Sequence, residues 1–456
     1  MRDDAAATAR RRVAALARHA CAASSSSSSS SREGDRAARV VVVGGMVLDV
    51  QACPSTGERV ARGTTAPGVV TQRPGGVGRN VAEGVSRFAP SRAAPPLLVA
   101  AVGDDVGGRA LVAAWRDLPG RPSSDGVRVC AGETTPVVSA VIDETGEVAA
   151  AIASTTLVET GLDATWLRRH RDALRRARVV VVDGNVAPDV VAAATAFRDD
   201  VTPRRASSSS SPSPPLVWFE PVSAAKATRA GRAGVLHRCD VVSPNARELR
   251  AMADDARRER RGEPPPRLSA SGGEDLDLDH EAADADVALA AARAHEDVVA
   301  LLREGVGTVA LTLGPLGVLL CRKPSASATT TTTRRPGAAD EDEDGGAVVY
   351  AHYPACPEGF GDGDARVCVV SAVGAGDAFV AGAVAAVAAG WAFDDAVAVG
   401  VAASRRAVET DANVPFDPRF VSFTALAKDA REVRARVKLW TATSSDAAER
   451  RAKRRA

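Results

Sequence analysis

The sequence predicts an α/β fold built on a mostly parallel central sheet, and two observations carry that prediction. Short β-branched or apolar runs recur along the chain, and most are separated by Ala/Arg/Leu stretches of helical composition. Such alternation makes βαβ units, which cover both faces of a parallel sheet with helices and so give three layers. The first run, Arg39-Val40-Val41-Val42-Val43, closes on Gly44-Gly45 and reads as a buried strand delivering a turn. Leu97 to Val102, Ala177 to Val182 ahead of Asp183-Gly184-Asn185, Leu216 to Phe219, Val241 to Ser243 and Thr308 to Leu313 continue the series. Val137 to Asp143 and Glu147 to Ile152 flank Glu144-Thr145-Gly146, which predicts a hairpin. On an α/β core this hairpin reads as part of a small β lid, with lid elements over about 50–74 and 133–153.

At 456 residues the chain has ample length for a large core. Its 58 Lys and Arg against 57 Asp and Glu leave a net charge of +1, so no global field draws it to nucleic acid. The seven cysteines lack the close pairs of a zinc site or a disulfide framework, and a reducing compartment fits them. No uninterrupted apolar stretch reaches membrane-spanning length, so a soluble protein with no membrane partner is expected. Residues 1–38 are rich in Arg, Ala and Ser and read as a disordered targeting segment. Within them, Arg12-Val13, five residues, then His19-Ala20 resembles the nonapeptide address read by a peroxisomal import receptor; a mitochondrial or chloroplast presequence is the alternative. The folded domain is expected over 39–440, with low-complexity insertions at about 203–215, 254–286 and 324–346 and a charged tail over 441–456.

Two glycine-rich blocks carry the chemistry. Gly374-Ala375-Gly376-Asp377 precedes a long Ala/Val run of helical composition. Glycines at a helix start let successive N–H groups converge on one point, where the helix N-terminus adds positive partial charge. An aspartate in such an anion hole is placed to take a proton from an attacking hydroxyl; its plainer reading is a helix cap. The second block, Pro74-Gly75-Gly76-Val77-Gly78-Arg79-Asn80, offers close backbone approach and an amide suited to sugar hydroxyls, or else a phosphate loop or packing turn.

Together the blocks resemble the two signatures of the ribokinase-like, or PfkB, carbohydrate kinase family. Three further matches support this: Gly44-Gly45-Met46-Val47-Leu48-Asp49, Ser243-Pro244-Asn245-Ala246-Arg247-Glu248 and Thr312-Leu313-Gly314-Pro315-Leu316-Gly317. The resemblance implies a three-layer α/β/α sandwich with a small β lid. It also implies Asp377 as catalytic base and Gly374, Ala375 and Gly376 as the anion hole. Asp49, Gly75, Gly76 and Asn80 would bind substrate hydroxyls, and Thr312, Gly314 and Gly317 would border ATP. Asn245 and Glu248 would hold Mg2+ and its waters. The resemblance also implies a monovalent-cation (K+) site; here Ser371-Ala372-Val373 supplies fewer oxygen ligands, which leaves both K+ as a cofactor and activity without potassium activation open.

Within the family, Val181-Val182-Asp183-Gly184-Asn185, Glu220-Pro221-Val222-Ser223 and Arg79 most resemble the pseudouridine kinase branch, with Glu220 standing where aspartate is expected. The implied reaction moves the ATP γ-phosphoryl group to the nucleoside 5′-hydroxyl. A kinase of ribose, fructose or another nucleoside is the near alternative, and a catalytically silent nucleotide-binding relative the distant one. The lid hairpin would either cover its own site or pair with a second copy as a homodimer.

Overall fold

The computed structural model describes residues 39–455 apart from 62, 91–92, 146–147, 199–213, 264–285, 325–345, 356–368 and 416. The targeting segment and most of the three expected insertions lie outside the described residues.

The chain begins with strand β1 (Val40–Val43), β2 (Val47–Pro54) and β3 (Gly68–Gly75), then helix α1 (Val77–Phe88). β4 (Leu97–Gly103), α2 (Val106–Arg116), β5 (Val127–Cys130), β6 (Val137–Ile142), β7 (Val148–Ser154), β8 (Val179–Asp183), β9 (Leu216–Glu220) and β10 (Val241–Val242) follow. Next come α3 (Ala246–Arg260), α4 (Val287–Arg303), β11 (Thr308–Thr312), β12 (Val318–Arg322) and β13 (Val348–Tyr353). The C-terminal part holds α5 (Ala375–Ala388), α6 (Phe393–Val408), α7 (Phe423–Ala435), β14 (Lys438–Ala442) and α8 (Ser444–Arg455). Short helices fill other connections.

Ten strands form one sheet in the order β14-β13-β12-β11-β10-β9-β8-β1-β4-β5. Neighbours from β5 to β11 are parallel, and β12, β13 and β14 add an antiparallel edge. The parallel strands are buried on both faces: Val40 and Val42 join one apolar cluster with α1, α5, α6 and α7, while Val41 and Val43 join another with α3 and α4. Fully covered faces are what the near-continuous apolar runs predict. A smaller sheet, β3-β2-β6-β7, contains the expected hairpin and occupies the place of the expected lid. Among the described residues, no helix is long and apolar enough to cross a membrane.

The Ala/Val run after Asp377 is α5, buried nearly all round. Its small residues permit close helix packing: a Cβ on Gly382 would lie 3.0 Å from the Cα of Gly400 on α6.

Two boundaries differ from expectation. The insertion placed at about 254–286 begins later, because α3 continues through Arg260 and buries Met252, Ala253, Asp255 and Ala256. Charge density there marks the solvated face of a helix whose other face is packed. The folded domain also continues past 440: β14 pairs with β13 as far as Ala442, opposite Val348, and the tail forms α8, with Ala447 buried.

Candidate active site

The parallel strands end at one edge of the sheet in Gly44-Gly45, Gly103, Asp183, Glu220, Ser243 and Thr312, and the site is built there. Open α/β sheets bind ligands at the carboxyl ends of their strands. Gly76 caps α1 with φ 92°, and a Cβ there would lie 2.6 Å from the carbonyl oxygen of Gly45. Only glycine meets both conditions. The Arg79 N–H donates to that carbonyl at 3.0 Å, which docks the start of α1 against the β1–β2 connection.

Helices α1 and α5 cross where Gly84 meets Ala381; a Cβ on Gly84 would lie 2.5 Å from that of Ala381. One turn towards each N-terminus, on the same faces, stand Asn80 and Asp377. The close crossing brings them together: Asn80 Nδ2 donates to Asp377 Oδ2 at 2.8 Å, across 297 positions of sequence. Arg79 Nη1 donates to Asn80 Oδ1 at 3.3 Å and to the Pro74 carbonyl at 3.0 Å, so the Asn80 amide has a fixed orientation. Arg79 in turn is buried against Glu83, which Arg87 also pairs.

Asp377 lies in the first turn of α5, above the N-cap Gly374, which adopts φ 79° and offers no side-chain cap. The first N–H groups of a helix have no intrahelical partner; the Ala375 N–H donates to the Ala372 carbonyl at 3.3 Å, and those of Gly376 and Asp377 are placed as donors for an anion. Burial pushes the Asp377 carboxyl up to about 7, with Asp183 and Asp49 reinforcing the rise and the Asn80 hydrogen bond opposing it. That is a range suited to a general base.

On β2, Asp49 stands opposite Arg73 of β3, with Gly75 so close that any side chain there would overlap its carboxylate. Burial raises Asp49, while Asn413 and Arg79 hold it down. Asn413 Nδ2 donates to Asp49 Oδ2 at 3.0 Å. Sequence reasoning missed Asn413, which lies between α6 and α7 in a segment with no glycine signature.

Asp183 is fully buried, accepting from the N–H groups of Gly45 at 2.8 Å and Asn185 at 2.7 Å, and its carboxyl is raised by burial. It ties β8 to the turn beneath α1; Cβ atoms on Gly44 or Gly78 would collide with it. Glu220 accepts from Ser243 Oγ and is raised well above the carboxylate range, first by burial and then by Glu248 and Asp377. The turn after it holds Val222 at φ 70°, where the Ser223 N–H donates to the Pro221 carbonyl at 2.8 Å. A β-branched residue in the left-handed region is strained backbone beside the site.

Of the residues expected to border ATP, the Thr312 N–H donates to the Pro244 carbonyl at 2.9 Å, and Gly314 and Gly317 turn the chain with φ 52° and 95°. Asn245 and Glu248 form a capping box: Asn245 Oδ1 accepts from Glu248 N at 2.9 Å, and Glu248 Oε2 accepts from Asn245 N at 2.8 Å. Among the described residues, no group of three or more His, Cys, Asp or Glu is arranged to hold a metal by itself. The donor chemistry nevertheless fits Mg2+, which takes one or two carboxylates, waters and substrate phosphates. Burial raises Glu248, Glu220 adds a second interacting carboxyl, and Asn245 Oδ1 is engaged in the cap. Ser371 Oγ accepts from Val373 N at 3.1 Å. A cavity of about 510 Å³ lined by Leu216, Asp240, Val241, Thr308 and Arg322 lies at the strands' opposite ends and holds none of these residues.

A carboxylate at a glycine-capped helix start, with an aspartate and an amide beside it, suits a phosphotransferase acting on an alcohol group, of the sugar or nucleoside kinase class. The family model for pfkB family carbohydrate kinases matches residues 37–337, and the chain belongs to this family. It is 31% identical over 393 residues to a pseudouridine kinase of Arabidopsis thaliana, covering 82% of this chain and 92% of the relative. It is 28% identical over 158 residues to a pseudouridine kinase of Escherichia coli strain K12, covering 34% and 46%. The structure of Arabidopsis thaliana ribokinase complexed with ribose and ATP matches with a TM-score of 0.56 at 17% identity, covering 87% of this chain and 99% of that one.

Proposed function

We propose that this kinase transfers the γ-phosphoryl group of ATP to the 5′-hydroxyl of pseudouridine. The observation that carries the reading is the contact of Asn80 with Asp377: the two glycine-rich blocks meet on one carboxylate, with Asp49 beside it. The likeness to the Arabidopsis pseudouridine kinase over 82% of the chain supports the acceptor, and the ribokinase solved with ribose and ATP supports the donor.

In this reading Asp49 and Asn80 hold the ribose hydroxyls and aim the 5′-oxygen at the transferring phosphorus. Asp377 takes the hydroxyl proton as the O–P bond forms, and a pKa near 7 lets it do so at neutral pH. The N–H groups of the Gly374–Asp377 turn stabilise charge on the transferring group. Mg2+ bound with ATP would neutralise phosphate charge, held through waters by Glu248 and Glu220. The remaining requirement is positioning, supplied by turns at Gly75, Gly76 and Gly374 that admit no side chain.

The test is kcat/KM for pseudouridine, uridine, adenosine, ribose and fructose with ATP and Mg2+. A preference of at least tenfold for pseudouridine is expected. Preference for another acceptor overturns the substrate, and no turnover overturns the enzyme in favour of a nucleotide-binding regulator.

A further inference from the structure

The substrate-side carboxylate lies in the Gly44–Asp49 match and the anion hole in the Gly374–Asp377 block, yet both rest on a loop that belongs to neither. Asn413 lies in that loop. Its Nδ2 donates to Asp49 Oδ2 at 3.0 Å and to the Pro74 carbonyl at 3.2 Å, which occupies both amide protons. Its own carbonyl oxygen packs against Gly374 so closely that a Cβ at 374 would overlap it. The loop is tied down from both sides. Arg73 on β3 donates to the Asp411 carbonyl and pairs with Asp411 Oδ2 at 2.7 Å, while Val414 is buried in the core.

Resting on the kinase reading above, we propose that Asn413 is a positioning residue: it fixes Asp49 in the rotamer that receives the acceptor's hydroxyls and locks that carboxylate to the floor of the anion hole. With Oδ2 engaged by Asn413, Oδ1 is the oxygen left to the acceptor. The Asp49 carboxylate cannot be steadied from its other neighbour, since Gly75 presents no side chain. Arg79 acts on it through charge and spends its own guanidinium on Asn80, Pro74 and Glu83. The loop thus joins Asp49 to the Gly374 turn, a tie separate from the Asn80–Asp377 hydrogen bond, and acceptor binding should depend on it more than nucleotide binding does.

The experiment compares Asn413→Ala, Asn413→Asp and Asn413→Gln with wild type, measuring KM for ATP and for the best acceptor of the panel, with calorimetric binding of that acceptor as a second readout. A charge-assisted hydrogen bond corresponds to roughly tenfold to a hundredfold in affinity. The alanine variant should raise acceptor KM and Kd by at least tenfold, with ATP KM within threefold and an unchanged thermal midpoint. The aspartate variant, which sets like charge against Asp49, should be worse, and the glutamine variant should recover part of the loss. Acceptor KM within twofold of wild type, or equal rises for acceptor and ATP, overturns the proposal. The outcome does not depend on pseudouridine, because the ribose hydroxyls are common to every nucleoside in the panel; a wild type that binds no acceptor overturns both readings.

Discussion

Replacing Asp377 by Asn should abolish turnover and stabilise the empty enzyme at once. Burial and two neighbouring carboxylates raise this carboxyl from the ordinary 3.8 to about 7. An acid with a raised folded pKa takes up a proton on folding, so its effect on stability is absent below about pH 4 and grows unfavourable as pH climbs to 7. At about 1.4 kcal/mol for each unit, the ceiling is about 4 kcal/mol at pH 8. Roughly 2 kcal/mol is expected, because the carboxylate is only partly enclosed and solvent relaxes around it. Asparagine removes the charge and keeps an oxygen to accept from Asn80. Urea unfolding of both proteins should give a variant more stable by that amount at pH 8, with the gap closing towards pH 4. Loss of the base should lower kcat by about 10²- to 10⁴-fold. A variant that is less stable than wild type at pH 8, or that retains a tenth of its kcat, refutes the assignment.

Gly374→Ala places a Cβ at φ 79° and against the Asn413 carbonyl, which costs about 1–2 kcal/mol for the left-handed backbone alone and shifts the helix start. A misplacement of about 1 Å costs on the order of 10²-fold, so kcat/KM should fall by that factor, and a fall below threefold would remove the anion hole from the account. Glu248→Gln preserves the capping box but removes a carboxylate; the Mg2+ concentration for half-maximal rate should rise about tenfold, and an unchanged requirement would free Glu248 of any metal role. A fluorescent protein carrying residues 1–38 should enter peroxisomes and lose that address on Arg12→Ala or His19→Ala; mitochondrial or plastid import would favour the alternative presequence.

Much of the fold is legible in the chain because buried parallel strands admit little but Val, Leu, Ile, Ala and aromatic residues, and the β1, β4, β8, β9 and β11 runs announce themselves that way. The two glycine blocks are legible for a related reason: at Gly76 and Gly374 a positive φ and a close backbone approach together leave glycine as the only choice, although Gly376 has open space around it. Their meeting at Asp377 depends on the Gly84–Ala381 crossing, which no local pattern displays. Asn413 was illegible because one amide in an irregular loop, 364 positions from Asp49, carries no periodicity. Asp183 is legible as part of the Asp183-Gly184-Asn185 match, but its burial beneath Gly44, Gly45 and Gly78 is a property of three segments meeting. Asn245 and Glu248 show a further ambiguity: the spacing read as a metal motif is also that of a capping box, and the structure displays the cap. The stretch over 254–260 reads as part of an insertion and 441–456 as a charged tail because their charges outnumber their apolar residues, yet a few side chains dock each helix.

The most direct measurement is the position of the transferred phosphate: incubation with pseudouridine and ATP labelled with oxygen-18 on the γ-phosphoryl group, followed by phosphorus NMR of the product. One labelled phosphate, coupled to the 5′ protons of the ribose, is expected from wild type and none from Asp377→Asn. Label on another hydroxyl, or released only as inorganic phosphate, would contradict it.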